Sequence, residues 1–268
     1  MTRQDYVHGY SVRENERLLD QANTLAELLH HDTLYPKGAL VLEAGCGVGA
    51  QTVILAQNNP KTQFISVDIS PASVEAAQAA VAHQGISNVS FRTDDILNLS
   101  FEANYFDHIF VCFVLEHLQQ PLAALQQLKR VLKPGGTLTV IEGDHASAYF
   151  YPDSEYAQRA IACLIELQAS MGGNSLIGRQ LYPLLKQAGF QNIRVTPRQV
   201  YVDSSRPEWV EGFTKNTFTA MVAGAKEQAL QQKLIDLKTW EQGITDLYAT
   251  AEENGTFNYT FFKAIAVK

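Results

Sequence analysis

The chain has 268 residues, 46% of them apolar and 18% charged, with a formal net charge of −7. That length and apolar share suit one large domain, or one domain carrying insertions. The acidic balance, with no block of Lys or Arg anywhere, removes the electrostatic footprint expected of a nucleic-acid binder.

Met1 to Tyr10 is polar and mixed in charge, unlike a secretory leader. Val12–His31 reads as a helix with Leu18, Leu19, Leu25, Leu28 and Leu29 on its apolar side and His30-His31 as its polar end. Ala39–Ala44 reads as a buried strand, and Ala50–Gln57 as a helix. Between them stand Gly45, Gly47 and Gly49 at alternate positions. Glycine is needed where a Cβ would block a ligand or where φ is positive, and a helix start offers free N–H groups. A nucleotide-like ligand is expected against this turn. Gly45, Gly47 and Ala50 also satisfy the dinucleotide fingerprint, so the loop alone leaves the ligand class open.

Thr62–Val67 reads as the second strand, closed by Asp68. Ser70 caps a helix with Pro71 at its first position, and Gly85 ends it. Asn88–Arg92 is a third strand, followed by Asp94-Asp95-Ile96, and Tyr105–Phe113 a fourth, apolar enough to be buried on both faces. Pro121 opens a helix striped by Leu122, Leu125, Leu128 and Leu132. Lys133-Pro134-Gly135-Gly136 breaks it, and Thr137–Ile141 is the fifth strand. This alternation predicts a parallel sheet covered on both faces.

Beyond Glu142 the periodicity turns helical over Asp153–Met171 and Arg179–Ala188. A sixth strand lies around Asn192–Val200. A helical stretch from Pro207 to about Asn254 is interrupted near Gly224 and Gly243, and Phe257–Val267 is a closing strand. The cysteines Cys46, Cys112 and Cys163 are far apart and odd in number, which argues against a disulfide framework or a zinc site. No apolar run approaches the roughly 20 residues of a membrane span. A soluble, cytoplasmic protein is expected.

Asp68, at the end of the second strand, can accept both hydroxyls of a ribose. Asp95 can accept the exocyclic amine of an adenine while the Ile96 N–H reads a ring nitrogen. Val41–Gly49, Val67-Asp68-Ile69-Ser70, Phe91–Phe101 with Asp95, Phe106–Phe110 and Leu132–Thr137 follow in order. Together these segments resemble class I S-adenosylmethionine-dependent methyltransferases. The resemblance is close over Ala39–Ile141.

It implies a Rossmann-like, doubly wound α/β sheet of seven mostly parallel strands with the last antiparallel. The implied layout is one domain over 1–268, with a helical lid over 1–36, a cofactor-binding core over 37–142, and helical cap insertions over 143–189 and 203–255. Gly45, Cys46, Gly47 and Gly49 would lie under the methionine part of S-adenosylmethionine. Asp68 would hold the ribose hydroxyls, with Ile69 beside it also at the cofactor, Asp95 and Ile96 the adenine, and Cys112 and Phe113 the methionine side. Glu43 would orient the loop or the ammonium through water. Tyr10 and Arg17, with Tyr6, resemble a lid segment. Gln51 departs from the hydrophobic or threonine residue usual in the family.

Glu116-His117 follows strand four, and Glu142, Asp144 and His145 follow strand five. His117 or His145 could serve as general base on a hydroxyl acceptor. A metal at Glu142, Asp144 and His145 is the minor alternative, and no metal is assigned. No Asn/Asp-Pro-Pro-Tyr/Phe motif follows strand four, where the chain reads Cys112-Phe113-Val114-Leu115. The expected partner is a small organic acceptor, without nucleic acid or membrane. Tyr149-Phe150-Tyr151 and the Asp153–Met171 helix would cap it. Trp209, Phe213, Phe218 and Met221 would close the pocket or form a homodimer contact. A protein or RNA methyltransferase and a non-catalytic cofactor-binding regulator remain the alternatives.

Overall fold

Each short apolar run of the first half becomes a strand and each amphipathic stretch a helix. The computed structural model describes Ala22 and residues 24–268. Tyr6, Tyr10, Arg17 and the first part of the predicted N-terminal helix lie outside the described residues. The described part of that helix, α1, ends at residue 30. There follow β1 (Leu40–Ala44), α2 (Ala50–Asn58), β2 (Gln63–Asp68), α3 (Pro71–His83), β3 (Val89–Thr93) and β4 (Phe106–Cys112). A short 3-10 turn at Leu115–His117 leads to α4 (Pro121–Val131) and β5 (Leu132–Gly143).

Val41, Leu42 and Ala44 of β1 are fully buried, as an apolar run in a parallel sheet should be. Ser70 caps α3 by accepting the Ser73 N–H, with Pro71 at the first position. The predicted break at Lys133–Gly136 takes a particular form. Leu132 pairs with Phe106 and Thr137 with His108, so the four residues between them loop out of the ladder. Lys133 Nζ then reaches Asp107 Oδ1 at 2.6 Å, and Asp107 Oδ2 accepts the Leu40 N–H at 2.8 Å. The Lys-Pro-Gly-Gly turn therefore ties together the entry points of three neighbouring strands.

The second half adds β6 (Tyr149–Tyr151), α5 (Glu155–Ser170), α6 (Leu181–Gln187), β7 (Gln191–Val202) and the single turn α7 (Pro207–Trp209). A π-helix over Val210–Thr219 continues into α8 (Ala220–Gly224). Then come α9 (Lys226–Gln231), α10 (Leu237–Ala249) and β8 (Thr256–Val267). The sheet order is β3-β2-β1-β4-β5-β8-β6, with β7 also against β8. The pairs β1–β2, β2–β3, β1–β4 and β4–β5 are parallel. The three-residue β6, read from sequence as part of a cap, is an eighth strand, antiparallel to the start of β8.

The chain divides into two compact units. One comprises Ala26–Glu142, Ile177–Arg198 and Phe262–Lys268. Its core joins Leu42, Ile109, Val111 and Val140 of the sheet to Leu125 and Leu128 of α4 and to Leu181 and Leu185 of α6. A buried cation, Lys263 of β8, pins the end of α1 in this unit. Its Nζ donates to the Leu29 carbonyl, to Asp32 Oδ1 and to Thr33 Oγ1.

The other unit comprises Gly143–Leu176 and Gln199–Phe261 together with the described residues Ala22, Thr24 and Leu25. Here α5 packs on α10. The predicted interruption at Gly243 does not occur, because α10 runs straight through it. That glycine instead lets α5 approach, since a Cβ there would sit 2.5 Å from the Tyr156 carbonyl oxygen. Phe213, Phe218, Phe257, Tyr259 and Phe261 form a cluster in which each ring lies within about 6 Å of at least two others. Phe213, Phe218 and Met221 are buried in this unit, so they are core and not an open contact surface. No helix of the described residues is long and apolar enough to cross a membrane.

Candidate functional site

In the order β3-β2-β1-β4, chain direction reverses its progress at β1, and the crevice beyond the carboxyl ends there is where such sheets bind ligands. The glycine turn after β1 is held by its neighbour strand. Gly45 N and Cys46 N both donate to the Val67 carbonyl, at 2.8 and 2.9 Å, and Gly47 N donates to Asp68 Oδ2 at 2.9 Å.

All three glycines have positive φ, near +85°, +51° and +83°, but their surroundings differ. A Cβ on Gly45 would overlap the Val114 side chain. One on Gly49 would lie 2.9 Å from Ala77 Cα of α3, whereas one on Gly47 would meet nothing within 4 Å among the described residues. The expectation that all three clear space for a ligand is thus narrowed to Gly47. Gly45 and Gly49 clear space for the protein itself.

Asp68 is half-buried, and its Oδ1 accepts the Ser70 N–H at 2.9 Å. A carboxylate offers about four acceptor positions, so two remain for ligand hydroxyls. Ile69 beside it is 59% exposed, an apolar surface laid open at the strand end. The β3 exit is brought alongside, because Asp94 N donates to the Asp68 carbonyl at 3.0 Å. In the turn beyond, Asp95 Oδ1 accepts the Leu97 N–H, and Asp94 Oδ2 accepts from Ser100. Bare backbone at Gly47, a carboxylate with spare acceptor positions and an exposed isoleucine fit a nucleoside with its ribose against Asp68.

Glu43 does not face this opening. It is buried, and its Oε2 accepts from Thr52 Oγ1 at 2.7 Å and Ser66 Oγ at 2.6 Å, bracing α2 and β2 from beneath. Burial raises its carboxyl to about 7, against those two hydrogen bonds. The folded state therefore keeps a proton that the unfolded chain releases above its ordinary 4.5. That contribution is full below pH 4.5 and is lost as pH rises towards 7. Glu43→Gln does not titrate, so it should gain on the wild type by roughly 1 kcal/mol per pH unit across this window. Urea unfolding at a series of pH values reads this directly, and a difference independent of pH would contradict it.

Gln51 also finds a role that the sequence did not supply. Its Oε1 accepts from Nε2 of His30 at 2.6 Å. His30 is fully buried, not the polar helix end expected, and burial lowers its pKa to about 4. His31 is the exposed neighbour.

At the end of β4, Cys112 is buried, and burial, with the Glu142 carboxyl beside it, pushes its thiol well above the usual range. Cys46 is likewise buried and raised, first by burial and then by Glu43. Both are packing groups rather than nucleophiles. Phe113 adopts φ 57°, an unusual conformation for an aromatic residue, with its N–H donated to the Ile141 carbonyl. The next two N–H groups, of Val114 and Leu115, donate to Glu142 Oε1 at 3.0 and 2.7 Å. Glu142 Oε2 is buried and has no hydrogen-bond partner among the described residues. Burial raises the Glu142 carboxyl well above its ordinary value, and nearby Glu116 adds to the effect.

The two histidines proposed as bases fall in different units. His117 is half-buried, its Nε2 3.5 Å from Glu116 Oε1, in the unit that carries the glycine turn. His145 is buried in the other, its Nδ1 2.7 Å from the Tyr259 hydroxyl and its ring beside Phe218. Among the described residues, no group of three His, Cys, Asp or Glu side chains is placed to hold a metal ion. Of the residues expected to hold the cofactor, all that are described lie in the unit of the glycine turn.

A family described as "Methyltransferase domain" matches residues 36–189. The chain is 38% identical over 150 residues to an uncharacterized methyltransferase of Schizosaccharomyces pombe, covering 53% of this chain and 52% of that protein. It is 31% identical over 277 residues to the "Probable methyltransferase ltbC" of Aspergillus luteorubrus, covering 91% and 94%. Over 130 residues it is 31% identical to ajmaline N-methyltransferase of Rauvolfia serpentina, covering 48% and 44%. It thus spans about half the length of several curated relatives, and nearly all of the Aspergillus protein. Among solved structures, YcgJ of Bacillus subtilis superposes with a TM-score of 0.59 at 13% identity, covering 92% and 97%, which speaks for the fold. The chain belongs to the class I S-adenosylmethionine-dependent methyltransferases.

Proposed function

We propose that the protein transfers the methyl group of S-adenosylmethionine to a small, partly apolar organic acceptor in the cytoplasm. The observation that carries this reading is the open glycine turn beside Asp68 and the exposed Ile69, at the same sheet edge as Glu116 and His117. When bound, S-adenosylmethionine supplies a methyl group already activated by its sulfonium, which is displaced in line to leave S-adenosylhomocysteine. The chain's own task is then to align the partners and keep water out.

In this reading the Gly45–Gly49 turn takes the methionine end, Asp68 the ribose hydroxyls, and Asp95 with Ile96 the adenine. Cys112 and Phe113 flank the methionine side. His117 is the first candidate to take a proton from a hydroxyl acceptor, with His145 the second. An amine acceptor entering as a free base needs neither during attack.

The acidic chain without a basic block favours a small acceptor over RNA, and the name of the Rauvolfia relative points the same way. Release of S-adenosylhomocysteine, followed across a panel of phenols, amines and carboxylic acids, tests the proposal. Turnover of at least one class is expected. Tight cofactor binding without any turnover would favour a regulator, and turnover confined to protein or RNA would favour a macromolecular acceptor. Absence of cofactor binding would remove the reading entirely.

A further inference from the structure

Glu142 is the least explained group at the carboxyl edge of the sheet. It lies fully buried one residue before the end of β5, yet no cation faces it in a salt bridge among the described residues. Its partners are backbone N–H groups. Val114 and Leu115 donate to Oε1, so one carboxyl oxygen gathers two successive amides of the turn after β4. Successive amides turned to one point form a concave anion seat. Here the occupant is a side chain from the adjacent strand.

The consequence is mechanical. The same strand end also takes the Phe113 N–H on the Ile141 carbonyl, so residues 141 and 142 together hold three consecutive amides, 113 to 115. Phe113 is thereby kept in its left-handed conformation, which a non-glycine residue holds only when its surroundings impose it. Val114, next in line, puts its side chain where Gly45 lacks a Cβ. A chain of contacts thus runs from Glu142 through Val114 to the first glycine of the turn.

We propose that Glu142 is a positioning residue for the methyl donor, a latch that sets Phe113 and presses Val114 against Gly45 to fix the glycine turn. This rests on the cofactor reading given above. It goes beyond it by assigning the geometry of that turn to a residue one strand away.

The test compares S-adenosylhomocysteine binding by calorimetry in wild type, Glu142→Leu, Glu142→Gln, Val114→Ala and the double variant Glu142→Leu/Val114→Ala. Circular dichroism and urea unfolding confirm that each is folded under the titration conditions. Glu142→Leu leaves buried amides without an acceptor and should weaken binding about 10-fold or more. Glu142→Gln keeps a carbonyl oxygen for the same amides and should recover binding to within about 3-fold of wild type. Val114→Ala should weaken binding about 5-fold, and the double variant should be no worse than Glu142→Leu alone by more than about 2-fold, because both act through one chain of contacts.

Wild-type affinity in folded Glu142→Leu overturns the latch. So does a double variant whose losses multiply. Should Glu142→Leu not fold, Val114→Ala decides, and unchanged affinity there overturns the proposal. A wild-type chain that binds no S-adenosylhomocysteine overturns the underlying cofactor reading instead, and the latch with it.

Discussion

Asp68→Ala should weaken S-adenosylhomocysteine binding by about 100-fold or more, because it removes two kinds of interaction at once. The first is with the ligand. A carboxylate at the end of β2 has two acceptor positions left after those taken by Gly47 N and Ser70 N, and hydrogen bonds to a charged group are worth about 1.5–3 kcal/mol each. The second is internal. The Gly47 N–H bond to Asp68 closes the turn over the end of β2, so its loss loosens the bare backbone on which the ligand would rest. Asp68→Asn keeps an acceptor for one of the two amides but brings a donor into the site, and an intermediate affinity is expected. Calorimetric titration on folded protein gives the answer, and undiminished affinity in Asp68→Ala would remove the ribose assignment.

Lys263→Ala should cost about 2 kcal/mol of stability in urea unfolding, because the hydrogen bonds of a buried ammonium are lost while the carboxylate left behind stays partly open to water. The residue is 2% exposed, and its ammonium donates to Leu29, Asp32 and Thr33, joining the last strand to the end of α1. Asp32 keeps Arg198 as a second partner and is partly open to water, which limits the loss. The acid side carries a second signature. Burial would raise the Asp32 carboxyl, but hydrogen bonds from Lys263 and Arg198 overcome it and hold it at about 2 against an ordinary 3.8. The stability it contributes is therefore present above pH 3.8 and lost as pH falls towards 2. In Lys263→Ala that acid loss should shrink. A variant within 1 kcal/mol of wild type, losing stability in acid as wild type does, would show that the lysine is not the anchor.

The parallel core was legible because its signals are local. Val41-Leu42 and Ile109–Cys112 are apolar on both faces, and Ser70 with Pro71 announces a helix within two residues. The residues expected along the cofactor edge were named on similarly local grounds, since most of them end a strand or follow one within a few residues. What escaped depends on contacts between segments distant in sequence. Glu142 looked like one acid among three until β4 and β5 lay side by side and its carboxyl met the amides of Val114 and Leu115. His30 looked polar at a helix end, and only the placement of Gln51 explains its burial.

The π-helix was hidden by its period. Its buried Phe213 and Phe218 are five residues apart, a spacing that neither the 3.6 nor the 2.0 template counts. The three residues of β6 are too few to carry a periodic signal at all.

The glycine turn carries two different kinds of constraint under one motif. At Gly45 and Gly49 the obstacle to a side chain is Val114 or Ala77, so any chain that folds this way must leave those positions bare, whether or not it binds anything. At Gly47 the described residues exact only the cost of a left-handed conformation, about 1 kcal/mol, and leave room for a side chain. A descendant that abandoned its ligand could fill position 47, most readily with asparagine, and keep its architecture. The middle glycine is thus the place in this motif where loss of binding would first leave a written trace.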